Sequence, residues 1–192
     1  GAEQEVLAIQ DLFSTKGWKE ITLTKGQAKE ERLKDMIKPN VLHIATHGFF
    51  RQDLVGDISF SSNPMYNSGL YLSGAVAGLS VLDYKSNEEF KKEDGVLTAY
   101  EALNLNIDNT NLVVLSACET GLGEIRNGEG VFGLQRAFIA AGARSVLMSL
   151  WKVDDEATQD LMVNFYNFWL DGNSKRESLR LAQQQLKLKY SQ

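Results

Sequence analysis

The sequence predicts an α/β fold with a mostly parallel sheet, and three apolar runs are the main observation behind this prediction. Residues 41–46, 112–116 and 145–151 are almost continuously apolar, which is typical of strands covered on both faces. Segments with helical periodicity or helix-end signals lie between these runs. Because strands that alternate with helices favour parallel pairing, we expect helices on the faces of a parallel sheet.

Length and charge limit the classes of protein that the chain can be. Its 192 residues fit a single domain, 1–192, and 43% of them are hydrophobic, close to the average for soluble proteins. The formal charge of −5 repels phosphate backbones, so no nucleic acid is expected as a direct partner. The single cysteine cannot form an internal disulfide, and no apolar run is long enough to span a membrane. We therefore expect a soluble, cytoplasmic protein without a membrane partner.

The elements before residue 75 are predicted in chain order. Apolar residues at helical spacing predict a first helix over 3–13, and alternation predicts a strand over 20–24. A charged helix over 27–37 should end before Pro39, because proline disfavours helical geometry in the residue that precedes it. A short strand is expected over 69–74, between two glycines.

Helices dominate the predictions for the second half of the chain. Thr98 and Glu101 have the spacing of a capping box, so a short helix should begin at Thr98. Three longer helices are predicted over 131–141, where Gly142 should end the helix, over 154–170 and over 174–190.

Two of the predicted core strands stop beside reactive side chains. The strand 41–46 is followed by His47 and Gly48, and the strand 112–116 is followed closely by Cys118. The carboxyl ends of parallel strands converge on one edge of a sheet, and neighbouring strands lie about 5 Å apart. If these two strands are neighbours, the imidazole of His47 can meet the thiol of Cys118.

An imidazole and a thiol in contact are sufficient for acyl transfer. In this hypothesis Cys118 is the nucleophile and His47 moves the proton. The backbone N–H groups of Gly48 and Cys118 can form an oxyanion hole, since Gly48 has no side chain to obstruct its amide. No third, orienting group is evident, and the carboxylate of Glu119 would raise the pKa of the thiol unless its side chain points away.

Other interpretations of the same residues stay open at this point. A lone cysteine is more often a small buried hydrophobic residue than a nucleophile, and His43, inside an apolar run, is predicted to be a core residue. A metal site made of His43, His47 and Cys118 is disfavoured because the short spacing of typical ligands is missing. No metal is expected.

The glycines at 128–133 match the pattern G-x-G-x-x-G, but they do not predict a dinucleotide site. That fingerprint follows its strand directly, whereas residues 116–127 separate the strand from the first glycine here. Gly133 is expected instead to allow a helix to pack closely on the sheet.

Three ordered motifs give the chain a resemblance to a known family. They are His-Ile-Ala-Thr-His-Gly at 43–48, Leu-Ser-Ala-Cys-Glu-Thr-Gly at 115–121 and Ser-Leu-Trp-Lys-Val-Asp-Asp at 149–155. Together they resemble the CHAT domain, a bacterial relative of caspases and separase. The resemblance implies a caspase-like three-layer α/β/α sandwich, a cysteine endopeptidase with His47 and Cys118 as catalytic residues, and no cofactor.

The resemblance also implies a substrate pocket and a regulatory context. It places Trp151, Asp154 and Asp155 at the rim of a pocket for a protein or peptide substrate, although the two aspartates can equally cap the helix that begins there. The family domain usually begins with an earlier strand, and repeat domains commonly lie upstream of it, so we expect regulation by an upstream or partner domain outside 1–192. The alternative is a non-catalytic or gated scaffold with the same fold that binds a protein partner.

Overall fold

The computed structural model describes residues 1–50, 64–66, 68–75, 94–117, 129–149 and 154–190. The chain forms two compact units, one made of residues 1–23 and 153–192 and the other of residues 24–152. The described residues contain five strands and six α-helices, and the sheet is mostly parallel. The predicted fold class is therefore confirmed: this is an α/β fold, consistent with a caspase-like sandwich.

The first unit is helical, and its three helices confirm three predictions. They are α1 (Ala2–Thr15), α5 (Asp155–Leu170) and α6 (Lys175–Tyr190). Helix α5 packs against both α1 and α6. Aromatic rings fill the space between α1 and α5: the rings of Phe13 and Tyr166 lie edge to face, with their centroids 5.0 Å apart. Burial raises the pKa of Tyr166 well above its ordinary value.

The second unit contains the sheet. Its strands are β1 (Val41–Phe50), β2 (Ser68–Tyr71), β3 (Val96–Thr98), β4 (Leu112–Ala117) and β5 (Val146–Met148), and its α-helices are α2 (Glu30–Lys34), α3 (Ala99–Ala102) and α4 (Glu129–Ala140). The described strands have the order β3-β2-β1-β4-β5. Strands β1, β4 and β5 pair in parallel, whereas β2 is antiparallel to both of its neighbours. Strand β2 is therefore the one described strand that runs against the others.

The continuous apolar run of β4 is explained by burial on both faces. Val113 and Leu115 point into a core that also contains Phe138 of α4. On the opposite face Leu112 and Val114 are buried as well, with 2% and 1% of their surface exposed. A strand with no solvent face needs no polar alternation, so its sequence becomes continuously apolar.

Glycines and a cap fix the ends of several elements as predicted. A Cβ on Gly133 would lie 2.8 Å from Oγ of Ser68, so the glycine does allow α4 to approach β2 closely. Gly142 follows α4 with a φ of +113°, a conformation that glycine adopts without strain. Thr98 caps α3 reciprocally with Glu101, as the capping-box spacing predicts.

Some local predictions are wrong, and one predicted helix is longer than the helix that the structure forms. Residues 20–24 form no strand: Ile21 is 80% exposed, so the alternating pattern does not place it on a buried face. The helix predicted over 27–37 is reduced to Lys25–Gln27, a turn of 3-10 helix, and the five-residue α2. Strand β3 was not predicted, because its three residues directly precede the short helix that the capping box indicates.

Candidate functional site

Strand β1 runs past the point where the sequence predicts that it stops. Its first six residues, 41–46, pair in parallel with β4, and its last four, 47–50, pair antiparallel with β2. The prediction that the strand ends at His47 is therefore wrong. The antiparallel pairing with β2 begins at His47, on the edge of β1 opposite to β4.

His47 is exposed although it belongs to a central strand. Its cross-strand neighbour on β2 is Tyr71, directly opposite in the antiparallel register. Among the described residues, no side chain forms a hydrogen bond with the His47 imidazole. The sequence indicates no group that orients this imidazole, and the described residues do not supply one. His43, two residues before Ala45 on the same strand face, is half-buried rather than fully buried.

The backbone amide of Gly48 points toward the side of β1 on which β4 lies. The carbonyl of Asn40 accepts a hydrogen bond of 2.9 Å from the N–H of Asn111, so Asn40 faces β4. Successive residues of an extended strand direct their backbone groups to opposite edges. Every second residue after Asn40 therefore faces β4, and Gly48 is one of them.

The hydrogen bonds of β2 support the same direction for Gly48. The N–H of Leu72 donates to the carbonyl of Gly95 at 2.7 Å, so Leu72 faces β3 and the preceding residue, Tyr71, faces β1. The hydroxyl of Thr46 donates to the carbonyl of Tyr71, which agrees with that direction. Tyr71 and His47 are therefore a hydrogen-bonded pair of the antiparallel β1–β2 ladder. The N–H of Gly48 donates no hydrogen bond in that ladder.

Two of the predicted site residues lie outside the described residues. Cys118 follows Ala117, the last described residue of β4, and Trp151 lies in the undescribed range 150–153. The described register ends with the pair Thr46 and Ala117. The candidate site is therefore described on the His47 side alone.

Asp154 is the N-cap of helix α5, which is one of the two roles that the sequence allows for it. Its carboxylate accepts hydrogen bonds of 3.0 Å from the N–H groups of Glu156 and Ala157. Asp155 is the exposed first residue of the helix. Negative charge in the first helical turn also complements the helix dipole.

The cap predicts different outcomes for two substitutions of Asp154. Asp154→Ala should lower the free energy of unfolding by about 1 kcal/mol, because it leaves the first amides of α5 without an acceptor. Asp154→Asn keeps a capping oxygen and should change stability much less. Urea unfolding followed by circular dichroism measures both, with Asp155→Asn as a neighbouring control. Equal losses for the alanine and asparagine variants would contradict the capping role.

A second group of charged side chains surrounds the start of β3. Glu30 is 2% exposed, accepts a hydrogen bond of 2.9 Å from the N–H of Gly95 and forms an ion pair with Lys34. Lys34 also pairs with Glu101 at 3.0 Å. Burial raises the pKa of Glu30, and it raises that of Asp94 in the same region. The described residues contain no group of three His, Cys, Asp or Glu side chains placed to hold a metal ion.

Comparison with known proteins identifies the family. The model of the CHAT domain matches residues 1–191, nearly the whole chain. The chain belongs to the CHAT domain family. This is a caspase-like peptidase family, so the resemblance carried by the three sequence motifs is confirmed at the level of the family.

Two curated relatives resemble this CHAT domain over most of its length. Tetratricopeptide repeat protein 28 of Mus musculus is 28% identical over 187 residues, which cover 93% of this chain and 7% of that protein. Tetratricopeptide repeat protein 28 of Homo sapiens is 28% identical over 185 residues, covering 89% and 7%. The chain thus spans a small part of the length of these relatives.

No helix in the described ranges combines the length and the apolar character that crossing a membrane requires.

Proposed function

We propose that this CHAT domain is a cysteine endopeptidase that cleaves protein substrates with His47 and Cys118. The observation that carries the proposal is the register of β1 with β4. Thr46 pairs with Ala117, the last described pair of the parallel ladder, and the next residues along the two chain segments are His47 and Cys118. Neighbouring strands lie about 4.8 Å apart, a separation that an imidazole and a thiol can bridge.

The direction of the Gly48 amide supports an oxyanion hole in the same place. This N–H faces the β4 side and is not used by β2. We assign the amide of Cys118, the proposed nucleophile, as the second donor of this oxyanion hole. Two N–H groups that converge on one gap are the donors that a tetrahedral intermediate requires.

The proposed reaction proceeds by acyl transfer. His47 takes the proton of the Cys118 thiol, and the thiolate attacks the peptide carbonyl to form a tetrahedral oxyanion. The amides of Gly48 and Cys118 stabilise that charge. Collapse of the intermediate breaks the C–N bond, and the imidazolium of His47 gives its proton to the leaving amine. Water, deprotonated by His47, then hydrolyses the thioester and restores the thiol.

Substrate selection and regulation belong to the same proposal. We assign Trp151, Asp154 and Asp155 to the rim of the substrate pocket, where a carboxylate would favour a basic residue before the cleaved bond. The variant Asp154→Asn tests this substrate preference separately from stability, because asparagine removes the carboxylate charge and keeps an oxygen that caps α5. Because the curated relatives are named for tetratricopeptide repeats, we also propose that an upstream repeat domain or partner regulates the activity.

A peptide-library cleavage assay tests the proposed function. The chain should cleave a subset of peptides, and Cys118→Ala should abolish cleavage while it leaves thermal unfolding almost unchanged. The cleaved sequences report the residue preferred before the scissile bond. Absence of cleavage together with a thiol inert to alkylation would overturn the proposal and indicate a non-catalytic scaffold. Cleavage that persists in Cys118→Ala would also overturn it.

A further inference from the structure

An aromatic pair lies beside His47 on the same face of the sheet. Residues directly opposite in an antiparallel pair share a face, so the side chain of Tyr71 stands next to that of His47. Phe49, two residues after His47, is on this face as well. The rings of Phe49 and Tyr71 pack with centroids 4.9 Å apart and an angle of 31°.

Gly69 makes room for the Phe49 ring, against which the Tyr71 ring packs. Gly69 is opposite Phe49, and a Cβ on Gly69 would lie 2.7 Å from two atoms of the Phe49 ring. The Phe49 ring therefore covers the glycine and occupies the space over that part of β2. The Tyr71 side chain packs against Phe49 of β1. On β3 its cross-strand neighbour is Val96, which belongs to the same hydrophobic cluster.

The main chain of Tyr71 is also fixed. Its carbonyl accepts the hydroxyl of Thr46, the residue before His47, so the two strands are bonded at the level of the imidazole. Val96 and Phe49 are 2% and 9% exposed, whereas Tyr71 is half-buried and His47 exposed. Tyr71 therefore packs against the buried cluster of Phe49 and Val96 and is directly opposite the exposed His47 in the register.

We propose that Tyr71 is a positioning residue, whose ring limits the orientations of the His47 imidazole on the side away from β4. This inference deepens the proposed function and depends on it, because an imidazole needs a defined orientation only if it exchanges a proton with Cys118. No described side chain forms a hydrogen bond with His47, so packing takes the place of an orienting acceptor. Misplacement of a catalytic group by about 1 Å can cost up to about a hundredfold in rate.

Nuclear magnetic resonance tests the contact without any change at Tyr71. The chain has two histidines, so His43→Gln assigns both imidazoles. Nuclear Overhauser effects between the His47 imidazole protons and the Tyr71 ring protons are expected in the otherwise unchanged protein. Their absence, with the effects between Phe49 and Tyr71 present, would overturn the inference whatever the activity of the protein.

Alkylation of Cys118 by iodoacetamide across pH 5–9 tests the consequence. Tyr71→Leu should lower the rate at pH 6 about tenfold, toward the profile of His47→Ala, whereas Tyr71→Phe should keep the original profile because it keeps the ring. Tyr100→Leu, at an exposed tyrosine on α3, is the control for loss of a tyrosine and should have no effect.

The alkylation profiles separate the inference from the function on which it depends. If His47→Ala leaves the profile unchanged, the proposed dyad fails. If His47→Ala changes it and folded Tyr71→Leu does not, the positioning role alone fails. If Tyr71→Leu does not fold, the nuclear Overhauser effects decide.

Discussion

Replacing His47 with alanine is expected to lower the rate of peptide cleavage about a thousandfold, because the thiol of Cys118 loses its general base and the leaving amine its general acid. Folding should be nearly unaffected, since the His47 side chain is exposed and no described group forms a hydrogen bond with its imidazole. The measurement is the initial rate of cleavage of the best library peptide. Thermal unfolding of the same samples shows whether the variant is folded.

His43→Ala is the matched control for this variant. Both histidines belong to β1, their side chains share a face and the two positions are four residues apart. His43 pairs with Val114, well inside the described ladder, whereas His47 lies beyond the last described pair. The control should retain most of the cleavage rate. Equal losses in the two variants would contradict a specific role for His47.

The continuous apolar strands were the most predictable part of the fold. The run 112–116 identifies β4 almost to the residue, because a strand buried on both faces needs apolar side chains at every position. Helix boundaries were predictable where a cap or a glycine marks them, as at Thr98 and Gly142. The segment 20–24 has no such mark. Its alternating pattern predicted a strand, and these residues form none.

The candidate site was predictable in its residue types and not in its local geometry. The sequence places His47 after an apolar run, but it does not reveal that β1 continues to Phe50 and pairs antiparallel with β2 from His47 onward. This pairing depends on the register between two strands that are separated in sequence, so the residues around His47 do not determine it alone. For the same reason the pairing of Tyr71 with His47 was not predicted, although the glycines at 69 and 74 did indicate a short strand there.

The ion pair between Lys34 and the buried Glu30 leads to the largest expected change in stability. Lys34→Met should lower the free energy of unfolding by about 3 kcal/mol at pH 7.5, because it leaves a buried carboxylate without its cation. The remaining hydrogen bond from the Gly95 amide does not neutralise that charge. Urea unfolding at pH 7.5 and at pH 5 measures the effect. Lys38→Met, which removes an exposed ion pair with Asp108, is the control and should change little.

The pH dependence follows from the direction of the Glu30 pKa. Burial raises this pKa above its ordinary value of 4.5, and the hydrogen bond from Lys34 opposes the rise. A carboxyl group whose pKa is higher in the folded state than in the unfolded state binds its proton more tightly when folded. Stability therefore falls as the pH rises from the ordinary value through the folded value. Removal of Lys34 moves the folded value further up, so the loss should be larger at pH 7.5 than at pH 5.

Glu30→Gln combined with Lys34→Met separates the buried charge from the lost packing of the lysine. Glutamine keeps an acceptor for the Gly95 amide and carries no charge, so the double variant should be more stable at pH 7.5 than Lys34→Met alone. The loss in the double variant should also be nearly independent of pH between 5 and 7.5. A Lys34→Met loss that is equal at both pH values, or that the second substitution does not reduce, would show that the carboxylate of Glu30 is not its cause. In that case the ion pair of Lys34 with Glu101 or the aliphatic part of the lysine side chain accounts for the loss.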